Sequence, residues 1–443
     1  MPPPKRRRPI RILLAPLLFV KARPKRALAI FALVVLIAIM TGVSGLFLWV
    51  EHHLGAARRA VDRGHNSVAI QHLLSCRRFR PDHPEVLLLS ARVARSSGAW
   101  DEAKVLLDRY WELQGDDEAL VLERLLLRAT QGDVEATRWL SNTHIDPNDS
   151  VAPRAREAVV AGLLYRFRLA EAEKQIDRWL ETDPDSTQAL LAQAKLHDQR
   201  DRTDEALQTY RRIIEIDPEH ELARMRMTTI LLLSRQGEEA LPHLEFLRRR
   251  LPDHPELLVQ TAQALELQGR GSEARPLLDE CLRLYPNYAS ALIDRGRMAL
   301  RDNDNEMAEE YLRRAVGLDP GSTTARYHYS LALTANGKKL EADREEKAIA
   351  RIQADVQRIK EILQGRLQEA LDDPAPYHEV ALIALRAGRP KEALRWLHNA
   401  LQVAPNHIPT HYTLAALYHE MGNPILSARH RAIAQRLDNK LRP

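Results

Sequence analysis

Cysteine is nearly missing from this chain, with two residues in 443. That excludes a disulfide framework, which needs several pairs. No Cys-x-x-Cys, His-Glu-x-x-His, P-loop or dinucleotide fingerprint occurs, so the usual zinc, phosphate and nicotinamide chemistries have no motif to rest on. No Gly-x-Ser-x-Gly elbow supplies a hydrolase nucleophile. Acidic residues are absent from the first 26 positions, which hold nine basic ones: Lys5, Arg6, Arg7, Arg8, Arg11, Lys21, Arg23, Lys25 and Arg26. The whole chain is +5, that segment is +9, and residues 27–443 are therefore −4. The high isoelectric point belongs to the N-terminus, and the rest of the chain gives no charge argument for nucleic-acid binding.

Charge is also absent from the run Ala27 to Val50. As a helix rising about 1.5 Å per residue, it matches a hydrocarbon core of about 30 Å. It is too long for the apolar region of a cleaved leader. The basic flank predicts a cytoplasmic N-terminus (1–26), a single transmembrane helix (27–50) in the lipid bilayer, and residues 51–443 on the outer side, periplasmic in a bacterium. Ile12 to Val20 is too short to span and suits the interface.

What the chain does have is periodicity. Pro184, Pro218, Pro252, Pro286 and Pro320 follow one another in equal steps of 34. With the proline counted as slot 32, the 187–220 unit places Leu190, Ala194, Ala206, Tyr210 and Ile213 at slots 4, 8, 20, 24 and 27. The 255–288 unit places Leu258, Ala262, Ala274, Leu278 and Cys281 there, and the 289–322 unit places Leu292, Gly296, Ala308, Leu312 and Ala315. Apolar residues fall at helical spacing in two runs per unit. Small residues at slots 8 and 20 allow close helix approach, and the proline follows the second helix, which it cannot continue. A period of this length predicts stacked helical hairpins that bury their faces only against neighbours. Weaker units extend the count to about eleven, through Ala69 and Pro81, Ala103 and Gly115, an irregular third unit near 118–150 closed short by Pro147, and Ala393 and Pro405. Cys76 and Cys281 both take slot 27, the small buried slot, and read as packing thiols.

This pattern resembles the tetratricopeptide repeat. The resemblance implies an all-α solenoid, a right-handed superhelix of helical hairpins, whose concave face binds proteins or peptides through slots 2, 5, 6, 9, 12 and 13 of each first helix. On this chain those slots include Arg226, Gln260, Gln263, Asp294, Arg297, Tyr327, His328, His378, Tyr412 and His419. Slot 6 reads Ala192, Arg226, Gln260, Asp294, His328 and Glu379. It lacks the asparagine of the family's carboxylate clamp, so that clamp is not carried over. The expected anchors are Tyr327 and Tyr412, whose rings offer area at low entropy cost.

The period breaks once. The step from Pro320 to Pro374 is 54, an excess of 20 over the period, which predicts a helical insertion at about 338–373. Ile349, Ile352, Val356, Ile359 and Leu363 alternate three and four apart. The stripe suits a lengthened second helix or an extra helix pair packing on the solenoid, or self-association. His407 and His411 have metal-pair spacing, but Pro409 lies between them and no third ligand joins. The sequence therefore points to a membrane-anchored interaction scaffold with no catalytic, cofactor or metal residues. The alternative is an enzyme or an enzyme-regulatory subunit with its site in the 338–373 insertion, for which no nucleophile, base or metal set appears.

Overall fold

The computed structural model describes residues 24–142, 149, 151–367 and 372–441. Side chains at 24–31, 34, 35, 38, 39, 42, 43, 366 and 441 are outside the description. The basic segment 1–23, the Ile12–Val20 stretch and Pro147 lie outside it too. The described residues form 22 α-helices and no strand.

The helices pair into eleven hairpins. They are α1 Pro24–Asp62 with α2 Asn66–Phe79, α3 Pro84–Ser96 with α4 Trp100–Gln114, and α5 Glu118–Thr130 with α6 Val134–Asn142. Next come α7 Val151–Tyr165 with α8 Leu169–Thr182, α9 Thr187–Gln199 with α10 Thr203–Ile216, and α11 Glu221–Leu233 with α12 Gly237–Arg250. Then follow α13 Pro255–Leu267 with α14 Gly271–Leu284, α15 Ala289–Arg301 with α16 Asn305–Leu318, and α17 Thr323–Ala335 with α18 Lys339–Glu361. Last are α19 Pro374–Arg386 with α20 Pro390–Val403, and α21 Ile408–Glu420 with α22 Pro424–Leu441. By contact the chain divides into two compact units, residues 1–124 and 125–443.

The turn inside each hairpin carries its own periodic mark. One residue there has positive φ: Gly64, Gly98, Gly132, Phe167, Asp201, Arg235, Gly269, Asn303, Gly337, Gly388 and Gly422. These follow in steps of 34 with two exceptions, a step of 35 to Phe167 and a step of 51 from Gly337 to Gly388. Seven of the eleven are glycine because a side chain is strained in this region. Between hairpins the proline sits in the loop, and slot 34 caps the next helix. Ser322 Oγ accepts from Ala325 N at 3.1 Å, and His220 Nδ1 accepts from Ala223 N at 3.2 Å.

Slot 20 behaves as the sequence predicts. Ala69, Ala103, Ala172, Ala206, Ala240, Ala274, Ala308 and Ala393 are each fully buried. Cys76 and Cys281 are buried free thiols, and Cys281 is pushed up to about 11 by burial. Helices come close enough to exclude a side chain at Gly162 of α7, where an added Cβ would lie 2.0 Å from the carbonyl oxygen of Ala129 in α5.

One expectation is corrected. Pro374 is not a slot-32 proline: it starts α19, with Asp373 accepting from Ala375 N at 2.9 Å. The excess in the turn spacing is therefore 17, not 20. The insertion lengthens the second helix of its hairpin, α18, to 23 residues and ends in a π-helical turn at Ile362–Arg366. Ile352, Val356 and Ile359 face a cavity of about 310 Å³ shared with Ile383 and Ala387 of the α19 hairpin. The stripe is thus largely spent within the chain, with Val356 still 59% exposed.

The 125–443 unit also curves back on itself. Phe167, in the turn of the fourth hairpin, meets Trp396 of α20 with ring centroids 5.8 Å apart. Arg395 lies 5.5 Å from the Tyr165 ring, and Lys360 at the end of α18 pairs with Asp201 at 2.8 Å. Among the described residues no helix is long and apolar enough to cross a membrane; nearly half the side chains of 27–50 are outside them.

Two substitutions test the register. Ala274→Leu overpacks slot 20 and should cost about 1–3 kcal/mol. Gly162→Ala forces backbone apart and should cost at least about 3 kcal/mol. Nearest-neighbour stability confines each loss to adjacent hairpins. Hydrogen exchange should therefore rise around α13–α15 in the first variant and α5–α8 in the second. Unchanged protection there would refute the packing.

Candidate functional site

The first helices α11, α13, α15 and α17 lie side by side in sequence order. Their facing residues enclose a cleft of about 650 Å³. Its lining is Thr229, Leu232, Leu233, Gln260, Gln263, Glu266, Leu267, Ile293, Asp294, Arg297, Arg301, Thr324 and His328, with Arg235 from a hairpin turn. Every one but Arg235 occupies slot 2, 5, 6, 9, 12 or 13 of its unit. The cleft is therefore lined by the first-helix slots singled out in the sequence.

Its floor is a fixed polar network. Gln260 is 6% exposed; its amide donates to Thr229 Oγ1 at 2.9 Å and to Glu256 Oε1 at 3.2 Å, and accepts from Thr228 Oγ1 at 3.0 Å. Asp294, also 6% exposed, accepts from Gln263 Nε2 at 2.8 Å and from Arg297 Nη2 at 3.1 Å. Burial pushes the Asp294 carboxyl up, against the pull of Arg297 and Gln263. Glu266 is buried and takes Arg297 and Arg301, the latter at 2.5 Å. The carboxylates sit beneath and the guanidiniums reach outward, Arg301 being 60% exposed. Burial, then Arg297, holds the His328 imidazole below its ordinary range. Leu233, 81% exposed, adds an apolar side chain at the rim.

Of the ten residues singled out in sequence, this cleft joins Gln260, Gln263, Asp294, Arg297 and His328. Arg226 is exposed on α11 and does not line it. Tyr327 is 53% exposed and touches His328, with ring centroids 5.2 Å apart, but it too lies outside the lining. His378 lies one hairpin further on, and Tyr412 and His419 two. Glu266, Arg301 and Leu233 were missed as individual residues, although slots 12 and 13 predict them. Their signal was the register, not the residue type.

The C-terminal histidines form a second constellation, built on shared protons and ring stacking. His378 Nε2 lies 2.9 Å from Thr413 Oγ1, whose proton goes to the Pro409 carbonyl, so the imidazole donates. His411 Nε2 donates to the Pro405 carbonyl at 2.9 Å. Its Nδ1 then accepts from His430 Nδ1–H, also at 2.9 Å. His430 stacks on Tyr418, whose hydroxyl reaches His398 at 3.2 Å. His407 turns to Thr410 rather than toward a metal partner of His411. Among the described residues no group of three or more His, Cys, Asp or Glu is placed to hold a metal ion.

Burial lowers His378, His398, His407 and His430, the last to about 4. These histidines are neutral when folded and take up protons more readily when unfolded. Their contribution to stability is complete above the ordinary histidine value of about 6.5 and is lost as pH falls toward 4. Asp294 runs the other way, since its folded form holds a proton more tightly. Lowering pH from 7 to 5 should therefore loosen α19–α22 while α13–α16 hold. Hydrogen exchange at the two pH values reads this directly; equal loosening in both regions would refute the assignment.

Three segments, 162–221, 255–298 and 293–355, match family models of the tetratricopeptide repeat. No curated protein matches the chain. Among solved structures, the chain is similar to the MamA protein at 17% identity over 38% of this chain and 92% of that one, with a TM-score of 0.30. It is similar to the Cut9–Hcn1 hetero-tetramer of APC/C at 13% identity over 87% and 80%, with a TM-score of 0.37. It is also similar to the human IFIT1 dimer with PPP-AAAA at 15% identity over 80% and 91%, with a TM-score of 0.41. The geometry and the three matched segments agree on one statement: this chain contains tetratricopeptide repeats within an all-α array of helical hairpins.

Proposed function

We propose that this protein is a membrane-anchored scaffold that holds a protein or peptide segment in the cleft of α11, α13, α15 and α17. The observation that carries the reading is the lining itself. Side chains from four successive first helices converge, with Gln260, Gln263, Asp294 and Arg297 held by hydrogen bonds and Leu233 exposed at the edge. A bound chain meets preorganised donors and acceptors there, which limits the ordering cost of binding. Tyr327, Tyr412, Arg226, His378 and His419 extend the contact surface along the same helix set.

The anchor reading is supported by continuity. Residues 27–50 lie within one unbroken helix, α1, that runs on into the core of the first hairpin at Val50, Leu54 and Ala57. Along the run Leu33, Leu36, Ile37, Met40 and Leu48 are exposed, as lipid contact requires and water disfavours. With the basic N-terminus inside, the repeats work on the outer side of the membrane. The alternative of an enzyme site in 338–373 gains no support. The acids of α18 that face the chain are engaged in ion pairs, Glu345 with Arg326 and Asp355 with Arg386.

Photo-crosslinking groups placed at Leu233, Gln263 and Arg301 in the full-length protein should capture partner, and one at Arg211 on an outer helix should not. Leu233→Asp with Tyr327→Ala should weaken that capture about tenfold, the effect of about 1.4 kcal/mol, with helix content unchanged. Crosslinks confined to 349–363 would move the site to α18.

Topology is tested separately. A reporter joined to the C-terminus that is active only when exported should be active. A cytoplasmic signal would reverse the orientation.

A further inference from the structure

The first hairpin carries a surface that repeat packing leaves unused. Cys76 Sγ lies 3.7 Å from the Val50 carbonyl, so the last turn of α2 stands beside the point where the uncharged run of α1 ends. The Trp49 and Phe79 rings meet edge to face with centroids 5.3 Å apart. The Arg80 guanidinium lies 4.9 Å from the centre of the Phe47 ring. Phe47, Leu48, Trp49 and Phe79 are nonetheless exposed, 38–68% each, and so are Ile70 and Leu74 on the same helix.

Arg77, Arg78 and Arg80 stand within four residues of one another, and none has a carboxylate partner among the described residues. Arg58 pairs with Glu85, and Arg109 takes both Asp82 and Glu112. The nearest acid in sequence, Asp82, is therefore already occupied. A helix C-terminus favours cations, which accounts for their tolerance there. It does not account for a collar of exposed aromatic rings beside them.

We propose that this end of the first hairpin is a seat on the bilayer surface. Phe47, Trp49 and Phe79 enter the boundary between headgroups and acyl chains, where amphipathic rings concentrate. Arg77, Arg78 and Arg80 meet anionic phospholipid headgroups. Two features select the bilayer as occupant: the apolar collar continues the uncharged run of α1 without a break, and the charge beside it is net positive, three arginines against the single carboxylate of Glu51. The inference rests on the anchor reading above. It adds a second contact that fixes the tilt of the first hairpin against the membrane, and a lipid charge preference.

The test uses the full-length protein in nanodiscs of phosphatidylcholine alone or with phosphatidylglycerol. Leu74→Cys carries an environment-sensitive dye; Cys76 and Cys281 are buried and do not compete for it. In anionic discs the emission should shift to the blue and acrylamide quenching should fall, relative to zwitterionic discs. Arg77→Gln, Arg78→Gln and Arg80→Gln should lower the ratio of seated to free first hairpin about fivefold per charge removed. The corresponding lysine triple variant should retain it. A dye equally quenched in both lipids, in discs that hold the protein, would overturn the seat and leave the anchor standing. A chain that does not enter discs at all would overturn the anchor, and the seat with it.

Discussion

Two helices of a hairpin approach closely only where one of them offers nothing larger than a methyl group. Slot 20 supplies that condition in nearly every unit, and Gly162 supplies its counterpart between neighbouring hairpins by letting α7 touch the backbone of α5. The rest of the architecture depends on this contact. It sets the angle within each hairpin and hence which slots of the first helix are turned away from the second. Those slots form the cleft. A bulky residue at slot 20 would not only destabilise one hairpin; it would also rotate the lining of the site built on it.

The cleft illustrates how a repeat array makes a specific surface from a generic frame. Each hairpin contributes one helix face, and no hairpin alone encloses anything. Asp294 and Glu266 are buried carboxylates whose cost is offset by Arg297, Arg301 and Gln263, supplied by the same and adjacent helices. Removing one partner of such a group leaves the other desolvated and unpaired, which costs far more than the pair contributes. The network is therefore rigid because its members are mutually dependent, and its guanidiniums are held outward.

The lengthened α18 alters the array at one place only. The hairpin turns keep the step of 34 from Phe167 up to Gly337, and the turns after it resume that step from Gly388 to Gly422. The inserted segment forms helix, reaches Asp201 through Lys360, and puts Ile352 and Ile359 against the following hairpin. Phe167 keeps a left-handed turn that glycine would adopt more easily, and its ring packs on Trp396. Strain at one residue is offset there by an aromatic contact far along the chain.

Most of the fold was legible in the sequence, because slots 8, 20 and 32 are set by local sterics that recur in every unit. The hairpin architecture and the buried alanines followed from that. Half of the expected groove residues also met in one cleft, since register alone decides which face a helical residue occupies. The length of the insertion was misjudged at Pro374, where a proline that starts a helix looks the same as one that follows a helix. Only the tertiary structure decided what each groove residue is doing. Gln260 and Asp294 are buried structural members, Arg301 and Leu233 reach outward, and the histidines near the C-terminus bond to one another. Those roles depend on neighbours in the adjoining hairpins and on partners several hairpins away, such as Trp396 for Phe167. No periodic pattern specifies them, because they are the positions at which the repeats differ.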